Sequence, residues 1–285
     1  MIHLETEYLR LDVLPEAGAC IWSMEFLGAT GWQPVLAPDS GKRHDAFHSG
    51  LFWMLPFANR ARLNRLHDFQ VPPNTGEPLA LHGTAWSRTW DVEATSPSSV
   101  QLVLPCREVE DPFPFSAGLA LQVEGSTFRA EVWLRNEASS SIPAGLGVHP
   151  FFPSMRGTTL QFDASHFYLE GPDHLPTDAI TLPPELDFSR GAPLPRSWRN
   201  NAYGGWNRRA RICQPDLGYQ VEMLSGMREL MLYTAPGEPR FALEPQTHTS
   251  GATLQGLPDL QVGLTVLDPS QVLSGDLVLT VLPLQ

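Results

Sequence analysis

Two residues stand out chemically before any element is assigned. His149 lies in the run AGLGVHPFFP, residues 144–153, between glycines and a Phe-Phe pair. Glu244 lies in RFALEPQTH, residues 240–248, where it interrupts an apolar run just before a proline. A buried or half-buried histidine or glutamate costs free energy unless it is hydrogen-bonded or used. If the two meet in space, they make an acid and a base. Imidazole has an unperturbed pKa of about 6.5, so it can hold or release a proton near neutrality. Burial tunes a glutamate upward, into the range where a base works. Each residue also has a plainer reading. A histidine in such a run often bonds a backbone carbonyl and does nothing more. A glutamate followed by proline fits an edge strand with its side chain in solvent, since proline favours edges. Strand parity puts Ala242 and Glu244 on one face and Phe241 and Leu243 on the other, without saying which face is wet.

The elements that must position these residues read as strands. Pro and Gly, 27 and 23 of them, break the chain into short pieces and disfavour long helices. In STFRAEVWLRNE (126–137), Phe128, Ala130, Val132 and Leu134 share one face and Arg129, Glu131, Trp133 and Arg135 the other. SAGLALQVEG (116–125) precedes it, which predicts a hairpin around Glu124-Gly125-Ser126. YQVEMLSGMRELMLYT (219–234) reads as a second hairpin, turning at Ser225-Gly226, and EATSPSSV (93–100) and NEASSSIP (136–143) as hairpin loops. Short helices are expected only around Ala61–Asp68 and Pro183–Phe188. The Pro-rich stretch from 171 to 198 is long for a loop, and such segments are usually functional or surface excursions. The pattern predicts an all-β chain, a large antiparallel β-sandwich or barrel, as one domain over residues 1–285.

Composition excludes several functions. A net charge of −12, from 31 acidic and 19 basic residues, is a poor match for nucleic acid, and RRAR (208–211) is too short to reverse that. The three cysteines are widely spaced, so no disulfide framework or zinc cluster is expected, and the nine histidines are scattered, so no metal site is expected. GxGxxG, Walker A, HExxH and GxSxG motifs are absent. The opening MIHLETEYLR has charges where a signal peptide needs an apolar core. No apolar run approaches the length of about 20 residues that a membrane helix needs. A cytoplasmic protein, monomeric or homodimeric, with no membrane or nucleic-acid partner is the expectation.

Six stretches then occur in a recognisable order: FANRAR (57–62), LALHGTAW (79–86), GLGVHPFF (145–152), PDHLPTD (172–178), NNAYGGWN (200–207) and YTAPGEPRFALEPQTH (233–248). Each is weak alone. Together they resemble the aldose 1-epimerase (galactose mutarotase) family, over about Leu9 to Val281. The resemblance implies a galactose mutarotase-like supersandwich and interconversion of the α and β anomers of a sugar, a hexose or pentose, free or phosphorylated. The reaction it implies needs two proton handlers and no cofactor. By resemblance, Glu244 is the base that takes the anomeric hydroxyl proton and His149 the acid that protonates the ring oxygen. His82 contacts the sugar on the ring-oxygen side, and Asn59 and Arg60 bind its hydroxyls. Asn200 stands where many members have an aspartate, in a stretch reading NNAYGGW rather than D-N-x-F-x-G-W. Asparagine still donates and accepts hydrogen bonds but carries no charge. The rim stretches LPTD (175–178) and THTSGATLQ (247–255) also depart from the family pattern, which leaves the sugar open. Trp86, Trp206 and Phe151 could stack on a sugar ring or fill the core. Two other readings remain: a sugar-binding protein that has lost turnover, signalled by Asn200, and a hexose-6-phosphate epimerase using Arg60, Arg62, Arg65 and Arg88 as a phosphate cluster.

Overall fold

Alternation in the sequence becomes two sheets with a shared core. In a computed structural model of the chain, described at residues 1–39, 45–61, 65–66, 69–106, 114–249 and 263–284, the hairpin at Gly125 forms as the sequence predicts. Phe115–Glu124 and Thr127–Asn136 pair antiparallel, and Gly125 takes φ +56° in the turn. Phe128, Ala130, Val132 and Leu134 are buried, while Arg129, Glu131 and Arg135 face out. These strands belong to a nine-stranded antiparallel sheet that also contains Ser99–Leu104, Tyr219–Leu224 and Val272–Pro283.

An eleven-stranded sheet packs against it. Its centre runs Leu51–Met54, Gly147–Pro153, Arg240–Gln246, Glu229–Thr234, Arg199–Gly204 and His166–Glu170. One face of this sheet presents Trp53, Val148, Phe152, Phe241, Leu243, Leu230, Leu232 and Tyr203 to the core shared with the other sheet. Each buried aliphatic or aromatic side chain of this kind contributes about 1.5–3 kcal/mol by transfer from water. The opposite, concave face carries a second cluster that includes Phe52, Met54, Phe151 and Ala242. Among the described residues helix is confined to short 3-10 turns such as Pro184–Leu186, and none is long and apolar enough to cross a membrane.

Two expected hairpins are not hairpins. Tyr219–Leu224 lies in the nine-stranded sheet and Glu229–Thr234 in the eleven-stranded one, so Ser225–Arg228 carries the chain between layers. Residues 137–141 make a similar crossing, from Thr127–Asn136 in one sheet to Gly147–Pro153 in the other by way of the short strand Ile142–Ala144. Alternation records which face of a strand is buried. It does not record the layer, because both sheets bury a face in the same core. The helix expected around Ala61–Asp68 is also absent from its described part, where Arg65–Leu66 pairs with Phe69–Gln70 as a small hairpin.

Candidate active site

Register brings the two chemical residues together. Gly147 pairs with Gln246 and Phe151 with Ala242, so continuing the antiparallel register sets His149 opposite Glu244. Both strands are buried along their whole length and lie at the centre of the sheet, so Pro245 is not an edge residue and Glu244 does not face solvent. Parity resolves as well. Phe241 and Leu243 enter the core, which leaves Arg240, Ala242, Glu244 and Gln246 on the concave face. His149 Nε2 lies 3.2 Å from Glu244 Oε1, and Glu244 Oε2 accepts a hydrogen bond from Gln246 Nε2 at 3.1 Å.

The surroundings disfavour charge on either partner. Burial pushes the Glu244 carboxyl up to about 8, against smaller opposing effects of the Gln246 amide and the Arg60 guanidinium. Burial pushes His149 down to about 3, with the Arg240 cation adding to the effect. Phe52 stacks on the His149 ring at 4.5 Å and 21°, and Phe151 lies against it at 4.4 Å. His149 Nδ1 is buried with no hydrogen-bond partner among the described residues. Between these two values the pair holds one proton to share.

His82 reaches the pair from a loop. Asn59 and His82 both adopt positive φ, +59° and +57°, and hold each other there. The His82 amide donates to Asn59 O at 2.9 Å, and the Asn59 amide donates to His82 Nδ1 at 3.0 Å. An Nδ1 that accepts leaves the ring proton of neutral His82 on Nε2. Burial, with His149 and Arg60 as lesser causes, holds His82 well below its ordinary pKa, so it is a neutral donor. Its ring meets that of His149 edge-on at 5.3 Å. Gly83 completes the arrangement at φ +68°, where a Cβ would lie 2.0 Å from the Leu55 carbonyl oxygen.

The other expected residues divide. Arg60 faces the cleft but is held bidentately by Glu77, Nε to Oε2 at 2.7 Å and Nη2 to Oε1 at 2.8 Å. Asn59 Oδ1 accepts the Arg60 backbone N–H at 2.9 Å. Asn200 lies on the concave face two strands from Ala242, through Tyr233, with its amide on Glu170. Trp206 does not reach the cleft. It packs in the core between the sheets, and its indole N–H donates to Arg209 O at 2.8 Å. Phe151 lines the concave face rather than the inter-sheet core, and Trp86 packs beside it against Phe47. Of the proposed phosphate cluster, Arg62 and the side chain of Arg65 lie outside the described residues, and Arg88 is turned to Pro105 O and the Phe115 ring. A cleft of about 650 Å³ opens between Arg60 and Leu79 on one side and Pro172–Leu175 on the other.

Sequence reasoning missed several residues of this face. Gln246 shares the parity of Glu244 and was readable by the same alternation. Arg240 stands in the quoted motif yet drew no role. Its guanidinium covers the Phe151 ring at 3.8 Å, bonds Asp39 at 2.6 Å, and donates to the carbonyls of Ser49 and Phe47. Glu229, directly across from Gln246, is a second buried carboxyl, pushed up to about 7 by burial. Its Oε2 has no partner among the described residues. No sequence signal marks the pairing of Glu77 with Arg60 or of Glu170 with Asn200, because the partners lie 17 and 30 residues apart.

Comparison with known proteins agrees with this architecture. The aldose 1-epimerase family model matches residues 1–260. The uncharacterized protein YphB of Escherichia coli (strain K12) is 32% identical over 258 residues, covering 84% of this chain and 85% of its own. A crystal structure of a candidate aldose 1-epimerase from E. coli K12 superposes with a TM-score of 0.89 at 30% identity, over 99% of this chain and 98% of that one. A GalM/aldose epimerase homologue from C. elegans shares the fold, with a TM-score of 0.83 at 20% identity over 100% and 99% of the two chains. On these grounds, and with the two-sheet fold above, the chain belongs to the aldose 1-epimerase family.

Proposed function

We propose that the protein is an aldose 1-epimerase that interconverts the anomers of an uncharged sugar by general acid–base ring opening and closure. The anomeric hydroxyl and the ring oxygen are bonded to the same carbon, so the base and the acid must converge on one point. The observation that carries the reading is the register that sets His149 across from Glu244, 3.2 Å apart, on a buried concave face. In the ligand-free pair the shared proton rests on the carboxyl. Its transfer to the imidazole produces a carboxylate and an imidazolium with no change in net charge. Glu244 then takes the proton of the C1 hydroxyl, His149 protonates the ring oxygen, and the C1–O bond of the ring breaks to leave an aldehyde. Rotation about C1–C2 and the reverse steps close the other anomer and restore the pair. His82 Nε2–H supports the ring-oxygen side as a neutral donor. Positioned acid–base groups typically contribute about 10²–10⁴-fold.

The face favours an uncharged substrate over a phosphorylated one. Arg60 is neutralised by Glu77, and Arg240 by Asp39 and Glu238. The test is anomer exchange of freshly dissolved α-glucose, α-galactose and a pentose panel, followed by polarimetry or NMR. Wild type accelerates exchange, and Glu244→Gln and His149→Asn each lower kcat by about 10²-fold or more while binding sugar with little change. Acceleration that survives Glu244→Gln would overturn the reading, and sugar binding without acceleration in wild type would favour a carbohydrate-binding protein.

A further inference from the structure

Glu229 is a buried carboxyl that the acid–base steps leave without a role. It opens the strand Glu229–Thr234, and with Leu230 and Leu232 in the inter-sheet core, parity sets Glu229, Met231 and Tyr233 on the concave face. Met231 lies directly across from Glu244, and Glu229 directly across from Gln246. Glu229 and Glu244 are therefore diagonal neighbours on one face, roughly 7–8 Å apart between Cα atoms. Glu229 is only 7% exposed, and its Oε2 has no hydrogen-bond partner among the described residues.

The polar groups on either side of it are engaged elsewhere. Gln246 gives its side-chain N–H to Glu244 Oε2 at 3.1 Å. On the other flank, the register that pairs Tyr203 with Leu230 continues to set Gly204 across from Glu229, a position without a side chain. The His166 ring lies over that glycine, where a Cβ would stand 2.0 Å from its Nε2. Both ring nitrogens are committed, Nε2 to the Tyr168 hydroxyl at 3.0 Å and Nδ1 to Ser165 Oγ at 2.8 Å. A buried carboxyl oxygen without a donor costs free energy, and a ligand hydroxyl that reaches it recovers that cost.

The order of side chains across the sheet indicates which hydroxyl that is. C1 of the sugar carries the anomeric hydroxyl, the ring oxygen and C2. With the ring oxygen toward His149 and the anomeric hydroxyl on Glu244, C2 is directed away from His149, over the next strand, where Met231 forms the floor. Met231 has no donor and only a weak acceptor. Tyr233, on one side of it, packs edge-on against Trp198 at 5.5 Å. Glu229, on the other side, keeps an oxygen free. We propose that Glu229 contacts the C2 hydroxyl of the sugar and makes the enzyme selective for aldoses that carry one. This inference rests on the epimerase reading and adds to it a specificity-determining contact.

The test compares glucose and galactose with their 2-deoxy and 3-deoxy forms in wild type, Glu229→Met and Glu229→Gln. The ratio of variant to wild-type kcat/KM is taken for each sugar, so that differences in intrinsic reactivity cancel. For Glu229→Met that ratio is expected to be about tenfold or more lower for the parent sugar than for its 2-deoxy form, with the 3-deoxy form following the parent. Glu229→Gln keeps a hydrogen-bonding end and brings the difference back to within about threefold of wild type. An equal loss for every sugar, or one relieved by 3-deoxy rather than 2-deoxy substitution, would overturn the proposal. Calorimetry on wild type needs no variant to fold: each parent sugar should bind about tenfold more tightly than its 2-deoxy form, and equal affinities would overturn the proposal. The same measurement separates it from the epimerase reading. A wild type that binds with this preference but does not accelerate anomer exchange overturns that reading and leaves the contact standing. One that accelerates exchange without the preference does the reverse, and one that neither binds nor turns over these sugars overturns both.

Discussion

At the scale of the residue, the chemistry depends on how many protons the His149–Glu244 pair holds. Burial raises Glu244 to about 8 and lowers His149 to about 3. Between those values the pair carries one proton, and a base and an acid are both available after its transfer. Above about 8 the proton is lost. The carboxylate remains a base, but no acid faces the ring oxygen. The expected profile of kcat/KM for anomer exchange is therefore flat through neutrality and falls about tenfold per pH unit above about 8. Stopped polarimetry corrected for the spontaneous rate measures it. A profile that rises through 8 would assign the acid role to the fixed Nε2–H of neutral His82, with Glu244 acting as a free carboxylate. Both members of the pair were legible in the sequence because each breaks an apolar run. The sequence also suggested an edge strand for Glu244, from Pro245 alone, and the central register overrules that inference.

At the scale of the element, the strand Arg240–Gln246 must hold its register against the loop that precedes Leu51. Arg240 does this with one buried side chain. Its guanidinium bonds Asp39, Glu238 and two backbone carbonyls, and covers the ring of Phe151, which in turn lies against His149. Methionine at this position keeps much of the stem but leaves Asp39 and two carbonyls short of a donor. Arg240→Met is expected to lose about 3–5 kcal/mol of stability in urea titration, the range for breaking a buried pair from one side. Arg240→Lys recovers part of this, since an ammonium cannot reproduce the planar fork or the stack. A loss below about 1 kcal/mol would show that Arg240 does not secure this strand. The same element shows what a sequence withholds. The Gly125 hairpin was readable because its turn and its alternation are local. The Ser225–Arg228 and 137–141 crossings were not, because a strand's inward face looks the same from either sheet. Trp206 was ambiguous for a related reason: an indole beside two glycines fits a cleft wall or a core, and only the third dimension places it in the core. Glu77 and Glu170 are invisible as partners until the fold brings the loop that carries Glu77 to Arg60 and sets the strand that ends in Glu170 beside Asn200.

At the scale of the molecule, the concave face stores several titratable groups in their neutral forms, and the fold must therefore respond to pH on both sides. His82, His149 and His248 are fully buried with lowered pKa values. His248 illustrates the cause: burial lowers it to about 4, and its Nε2 is occupied in accepting the Ala58 N–H at 3.0 Å. The unfolded chain protonates these rings near 6.5 while the native state does not. Their stabilising contribution is complete above 6.5 and is lost as pH falls toward their folded values. Glu244 and Glu229 act in the opposite sense. Raised to about 8 and about 7, they hold protons in the native state that the unfolded chain releases near 4.5. Their contribution is complete below 4.5 and is lost as pH rises through 7 and 8. Each group changes stability by up to about 1.4 kcal/mol per pH unit inside its own window. Between 4.5 and 6.5 the windows overlap, and the three histidines outweigh the two carboxyls through most of that range. Stability should therefore peak between about pH 6 and 7 and decline on either side. Urea titrations from pH 4.5 to 8.5 measure the curve, and a monotonic dependence would contradict it. Glu244→Gln and Glu229→Gln, which cannot ionise, should each flatten the alkaline decline and leave the acidic one in place. That separation matters for the site: the free energy spent in keeping a carboxyl buried between Gln246 and His149 is what holds Glu244 in the pH range where a base is useful.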